Sequence, residues 1–226
     1  MREGGRTIPD AISELREAVD FMRYYGAHAK KHFGEPILLP GPTGERNTYI
    51  MRGKGVFIAI SPWNFPLAIY TGQITAALAA GNAVLAKPAA PTTLVAYRAI
   101  RLLHEAGVPP DVLHFVPCGG RVIGESGVAD PRVAGVVFTG STAVAQTINQ
   151  TLAHRDGPIG TLIAETGGQN AMFVDRSALP EQVVHDAIYL AFNSSGQRCS
   201  ALRILCVQEE IEPRTLDLLK GYMEEL

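Results

Sequence analysis

Three residues of this chain have side chains and surroundings suited to chemistry on a carbonyl group: Cys199, Asn64 and Glu165. Cys199 lies in Ser194-Ser195-Gly196-Gln197-Arg198-Cys199-Ser200, a small, polar run that suits a reacting thiol better than a packed one. Only the thiolate attacks, and a free thiol has a pKa of ~8.5, so nearby N–H groups, a cation or a bound cofactor's charge must favour ionisation. The alternative, a buried structural cysteine, suits Cys206 in Ile204-Leu205-Cys206-Val207 well and Cys118 in Pro117-Cys118-Gly119 moderately. It suits Cys199 least.

Asn64 stands in Pro62-Trp63-Asn64-Phe65-Pro66, a connection stiffened by two prolines. Its amide can donate to a developing oxyanion. The competing role is to cap a helix that begins near Pro66, with proline at its first position. Trp63 and Phe65 either line a pocket or pack, and packing is the commoner fate of a lone aromatic. Glu165 ends an apolar run and precedes Thr166-Gly167-Gly168. Partial burial would raise its pKa towards the working pH, as a general base needs. Without that burial it is a loop glutamate facing solvent.

Two further segments suggest a nucleotide. Phe138-Thr139-Gly140-Ser141-Thr142 stands where a strand feeds a helix, and unpaired N–H groups at a helix start can hold a pyrophosphate. An ordinary N-cap by Ser141 or Thr142 explains the same residues. Lys87-Pro88 follows another strand at its C-terminal end, where ligands bind in open α/β sheets. Its lysine can reach ribose hydroxyls or a phosphate, or can simply be solvated. Neither the G-x-G-x-x-G fingerprint nor a P-loop is present, so a nucleotide would have to bind in another way. A G-x-S-x-G elbow is absent too, which argues against a serine hydrolase. His28 and His32 lie four apart on a predicted helix but have no third ligand nearby, so no metal site is expected.

The elements that must position these residues follow a rhythm. A helix is predicted from Pro9 to about Phe33, with Ile12, Leu15, Val19 and Met22 recurring at helical spacing and Glu14 on another face. Residues 34 to 55 read as a Gly/Pro-rich loop or edge-strand connection. Apolar runs at 55–60, 83–86, 112–116 and 134–138 then alternate with helices at 67–80, 92–106, 121–128 and 142–154. Continuous apolar strands between helices predict a parallel sheet covered on both faces, in a doubly wound, Rossmann-like α/β architecture. A strand at 160–165, a helix at 179–193, a strand at 203–207 and a helix at 213–226 follow. The predicted boundary is at 157/158: an N-terminal helix and dinucleotide-binding domain at 1–157, and a partial catalytic domain at 158–226.

Composition narrows the function classes. The chain has 226 residues, 46% hydrophobic, with a net charge of −2. No electrostatic pull towards nucleic acid or an anionic membrane is expected, and the most apolar stretch, 68–86, is too interrupted to span a bilayer. Three cysteines and no visible secretory leader point to a reducing, cytoplasmic setting.

Taken in order, Pro62-Trp63-Asn64-Phe65-Pro66, Lys87-Pro88, Phe138-Thr139-Gly140-Ser141-Thr142, Glu165-Thr166-Gly167-Gly168 and Gly196-Gln197-Arg198-Cys199 resemble the aldehyde dehydrogenase superfamily. Each block is modest alone, and the ordered set is highly specific. Ile163 to Met172 and Gly196 to Arg203 look like the Δ1-pyrroline-5-carboxylate dehydrogenase branch, especially the dehydrogenase module of bifunctional proline utilization A flavoproteins. The first helix resembles the same module.

The resemblance implies oxidation of an aldehyde, L-glutamate γ-semialdehyde, to glutamate with NAD or NADP. Cys199 would be the nucleophile, Asn64 with the Cys199 backbone N–H the oxyanion donors, and Glu165 the base for thioester hydrolysis. Lys87, Ser141, Gly140, Trp63, Pro62 and Gly167 would bind the cofactor, and Phe65 would line the substrate pocket. Two departures stand out. Many NAD-preferring members carry a glutamate three residues after the lysine, where this chain has Ala90, which puts the choice between NAD and NADP in question. Family members also continue well past the thiol. The resemblance therefore implies a fragment with little or no turnover alone, prone to association, and a homo-oligomer at full length. Two other readings are a non-catalytic nucleotide-binding fragment and a cofactor-free cysteine hydrolase; no histidine lies near Cys199 in sequence to serve the latter.

Overall fold

The computed structural model describes residues 1–225. The chain opens with α1 (Ile8–Phe33), capped by the Thr7 side chain, and a short antiparallel pair, β1 (Ile37–Leu39) and β2 (Asn47–Tyr49). Then come β3 (Val56–Ile60), α2 (Ala68–Ala79), β4 (Ala83–Lys87), α3 (Thr93–Glu105) and β5 (Leu113–Phe115). A single turn, α4 (Gly120–Val122), runs into a π-type turn at Ile123–Val128. β6 (Val133–Thr139), α5 (Thr142–His154) and β7 (Thr161–Glu165) complete the first unit.

The five strands are all parallel, in the order β5-β4-β3-β6-β7. Strand side chains alternate between faces. Phe57 and Ala59 therefore meet Tyr70, Ile74, Ala96 and Ile100 from α2 and α3. Ile58 and Ile60 meet Val128, Phe138, Ile148 and Leu152 on the other face. Each fully buried aliphatic side chain of this kind contributes about 1.5–3 kcal/mol. The strand order reverses between β3 and β6, which creates a switch crevice at the carboxyl ends of those strands.

Three expectations need correction. The first compact unit ends at Glu165, not at 157, because β7 is hydrogen-bonded to β6 from Gly135–Thr161 to Thr139–Glu165 and belongs to the same sheet. The second unit begins at Thr166. In α1 the buried residues are Asp10, Glu14 and Ala18, while Ile12 and Leu15 are 49% and 55% exposed. The face read as polar is the docked one, since Glu14 finds donors on α2. Further along the same contact Phe21 lies where a side chain on Gly72 would collide with its ring, so α1 and α2 approach closely there. Finally, Asn170–Val174 is a strand that glycine-rich neighbours concealed.

That strand is β8 (Asn170–Val174). With α6 (Pro180–Phe192) and β9 (Leu202–Val207) it makes a parallel βαβ unit, followed by α7 (Glu212–Glu224). Val183, Val184, Ala187 and Ile188 form the buried face of α6. Among the described residues no helix is long and apolar enough to cross a membrane.

Candidate active site

In the first unit, four sequence-predicted segments lie at the carboxyl ends of the sheet strands. Pro62–Pro66 follows β3, Lys87-Pro88 ends β4, Gly140-Ser141 follows β6, and Glu165 ends β7. Backbone bonds tie them pairwise: Ser61 N–H donates to the Lys87 carbonyl (3.2 Å) and Gly140 N–H to the Glu165 carbonyl (3.1 Å). The switch crevice is bridged by the buried amide of Gln73. It accepts from Ser61 Oγ (2.6 Å) and donates to Thr139 Oγ1 (2.9 Å) and more weakly to the Ile60 carbonyl (3.4 Å). Sequence reading did not single out Gln73, because a glutamine inside an apolar helix carries no motif.

Asn64 is not the helix cap that sequence left open. Helix α2 begins at Ala68, its N-cap is Leu67, and Pro66 precedes the helix instead of opening it. Leucine offers no acceptor, so the orphan N–H groups need one from elsewhere. Glu14 of α1 supplies it: its Oε1 accepts from Leu67 N–H (2.8 Å) and Ala68 N–H (3.2 Å). Arg6 completes the arrangement. Its Nε lies 3.2 Å from Glu14 Oε2, with both side chains at most 5% exposed. Its guanidinium donates to the Asn64 carbonyl and sits 4.2 Å over the Phe65 ring. A second carboxylate, Glu3, caps α3 in the same way through Leu94 N–H (2.9 Å) and Val95 N–H (2.8 Å). Trp63 is 43% exposed, so the packing expected of a lone aromatic is not its role.

Lys87 is 9% exposed, and burial pulls its pKa below the ordinary lysine value, with Cys118 opposing weakly. A desolvated cation at the carboxyl end of β4, beside the crevice, fits the hydroxyl or phosphate oxygens of a nucleotide. Ser141 is the N-cap of α5, its Oγ accepting from Val144 N–H at a long 3.4 Å. Ala90 lies exposed in the turn that leads into α3. Glu165 is exposed, against the partial burial expected. The cause is its place at the end of the edge strand β7, where Ile163 and Ala164 are exposed as well. Tyr25 on α1 has its phenol pKa raised by burial, then by Tyr24 and by the Glu165 charge.

The second unit carries Cys199 and Gly167, both exposed. The turn before the thiol is unusual: Ser194, Ser195 and Gly196 have φ of 54°, 55° and 64°. Glycine suits this region, whereas the left-handed conformation costs a non-glycine residue roughly 1–2 kcal/mol. Gly196 also has no room for a side chain, which would meet the Ala191 carbonyl at 2.8 Å. Side chains from β8 and β9 help to hold the loop. Arg203 Nη2 donates to the Gly196 carbonyl (2.7 Å), and Asn170 Nδ2 donates to the carbonyls of Cys199 (2.7 Å) and Ala201 (3.0 Å). Asn170 and Arg203 stood inside the recognised blocks without a role. Cys118 and Cys206 are partly buried. Among the described residues no group of three or more metal-binding side chains assembles, and His28 and His32 only stack (5.6 Å).

Comparison with known proteins bears on this arrangement. The sequence pattern described as the aldehyde dehydrogenase family matches residues 1–226. The chain is 52% identical, across its whole length, to a protein named bifunctional protein PutA from Klebsiella aerogenes. It is 38% identical over 96% of its length to a 1-pyrroline-5-carboxylate dehydrogenase of Geobacillus thermodenitrificans. It spans 16% of the first relative and 42% of the second. A crystal structure of a Bradyrhizobium japonicum proline utilization A (PutA) mutant superposes with a TM-score of 0.94 at 59% identity, covering 97% of this chain and 23% of that one. A Thermus 1-pyrroline-5-carboxylate dehydrogenase with bound NAD gives 0.93 at 32% identity, covering 99% of this chain and 44% of that one.

Proposed function

Because the chain belongs to the aldehyde dehydrogenase family, we propose that it carries the cofactor platform and the nucleophile of an NAD(P)+-dependent dehydrogenase that oxidises L-glutamate γ-semialdehyde to glutamate in proline catabolism. Its relatives named PutA and 1-pyrroline-5-carboxylate dehydrogenase support that substrate. The observation that carries the reading is Lys87, a side chain only 9% exposed at the carboxyl end of β4.

The Cys199 thiolate attacks the aldehyde carbon, forming a C–S bond and placing negative charge on the former carbonyl oxygen. The Asn64 amide and the Cys199 backbone N–H donate to that oxygen, where preorganised donors lower the barrier. A bound nicotinamide would supply the two-electron acceptor. Lys87, Ser141, Gly140, Trp63, Pro62 and Gly167 would hold the cofactor, and Phe65 would line the substrate pocket. Loss of the carbon's hydrogen as hydride to that acceptor leaves a thioester on Cys199. Glu165 takes a proton from water, whose oxygen attacks the acyl carbon; the C–S bond breaks, releasing glutamate and the thiolate. Glu165 is exposed at the end of β7, so this role rests on the family's motif and not on burial.

Titration of the protein with NAD+ and NADP+ by calorimetry tests the platform. Binding that Lys87→Met weakens supports it, and no binding at millimolar cofactor contradicts it.

A further inference from the structure

We infer that Arg6 and Glu14 are positioning residues that fix the Pro62–Pro66 connection and, through it, the Asn64 amide. The inference rests on the oxyanion role proposed above for Asn64, and it adds two residues to which the family resemblance gave no role.

Residues 61–67 form neither helix nor strand. Helix α2 starts without a local side-chain cap, and the residues before it form bends and turns with no ladder partner. Two of the connection's anchors arrive from more than fifty residues upstream (Glu14 and Leu67 are 53 apart in sequence). One carboxylate accepts from the consecutive N–H groups of Leu67 and Ala68. Its ion partner Arg6 holds the carbonyl of Asn64 itself and covers the Phe65 ring. Four sites, at residues 64, 65, 67 and 68, are thus bound by two side chains that are almost wholly buried.

Charge-assisted hydrogen bonds of this kind are among the strongest available to a backbone group. Guanidinium geometry allows one side chain to serve a carboxylate, a carbonyl and an aromatic face together, which a lysine ammonium does less well. A buried ion pair is a poor source of net stability compared with apolar packing. Its retention here is explained by what it orients. A side chain that must meet an oxyanion gains from a backbone that does not move, since donors act best when already in place.

The test uses the protein as its gene encodes it. Amide hydrogen exchange, read on peptides spanning 64–68, is compared between wild type, Glu14→Ala and Glu14→Gln, with a peptide covering 84–86 as control. Glu14→Ala is expected to accelerate exchange in the 64–68 peptides by about tenfold or more, Glu14→Gln less, with 84–86 unchanged. Unchanged exchange at 64–68 would overturn the inference. Should Glu14→Ala fail to fold, Arg6→Lys decides in its place: the expected result is faster exchange at 64–68, and wild-type exchange overturns. In the oxidation assay, Glu14→Ala is expected to lower kcat with little change in KM. The double variant with Asn64→Ala should then be no slower than Asn64→Ala alone, and fully additive losses would show that the pair does not act through Asn64. A wild-type protein without turnover would remove the proposed reaction, and the exchange measurement would still decide the role of the pair.

Discussion

The two compact units hold their chemistry-bearing residues by different means. In the first, Asn64, Lys87 and Ser141 stand at the ends of strands buried on both faces, and remote carboxylates, Glu14 and Glu3, cap the helices that follow. In the second, Cys199 is exposed, after three residues with positive φ, and hydrogen bonds from Asn170 and Arg203 help to hold its loop. The first arrangement suits a platform that must present a fixed surface to a ligand. The second suits a group that must accept and release an acyl chain, where local strain at a functional site is tolerated. On the proposed reading, most of the cofactor-holding residues and the nucleophile are carried on backbones anchored with different stiffness.

The largest expected effect tests that stiffness. Arg6→Ala leaves Glu14 buried without its counter-charge and should destabilise the first unit by about 3–5 kcal/mol, read from the denaturation midpoint. The contrasting ion pair of the second unit, Arg214 with Glu181 (2.5 Å), is exposed, and Arg214→Ala should leave the midpoint where it was. Equal effects would erase the distinction.

Cofactor choice comes next. On the proposed cofactor placement, Ala90 offers no carboxylate to repel a 2′-phosphate, so NADP+ is expected to bind within about tenfold of NAD+. Ala90→Glu should weaken NADP+ by about tenfold, or 1.4 kcal/mol, and spare NAD+, as calorimetry with both cofactors would show.

A smaller effect probes the strained turn. Ser195→Gly relieves roughly 1–2 kcal/mol of left-handed strain and adds about 0.5–1 kcal/mol of unfolded-state entropy, for a net gain of about 0.5–1 kcal/mol in chemical denaturation. A loss would show that the turn is not strained.

The smallest concerns Lys87. Its native pKa is depressed, so the unfolded chain binds more protons between that value and the ordinary lysine pKa, and stability rises with pH through that window. Lys87→Met should therefore stabilise the protein at neutral pH, by an amount that shrinks as pH climbs through the window. Denaturation curves for both proteins at neutral and alkaline pH check this.

Much of this molecule was legible in its sequence, and the parts that were not share a cause. The helix at Thr142–His154 and the alternation of apolar runs with helices follow from local pattern, and the sheet realises them. The segments around Asn64, Lys87, Ser141 and Glu165 could be placed at strand ends for the same reason. What escaped depends on partners distant in sequence. Glu14 reads as a solvent-facing helix residue until Leu67 and Ala68 are beside it. β8 reads as loop until β9 pairs with it, and β7 reads as the start of a new domain until β6 does. Glu165 looked set for partial burial because a glycine pair permits it, yet permission to bend does not supply a neighbour.

The central claim is that Cys199 carries the acyl group in oxidation of L-glutamate γ-semialdehyde. The most direct test is the rate of NAD(P)H formation from that aldehyde by the protein as its gene encodes it, in wild type and in Cys199→Ala. The account predicts steady production by the wild type and a loss of at least about 10³-fold in the variant, since removing a nucleophile removes the covalent route. Undiminished NAD(P)H formation by Cys199→Ala would contradict it.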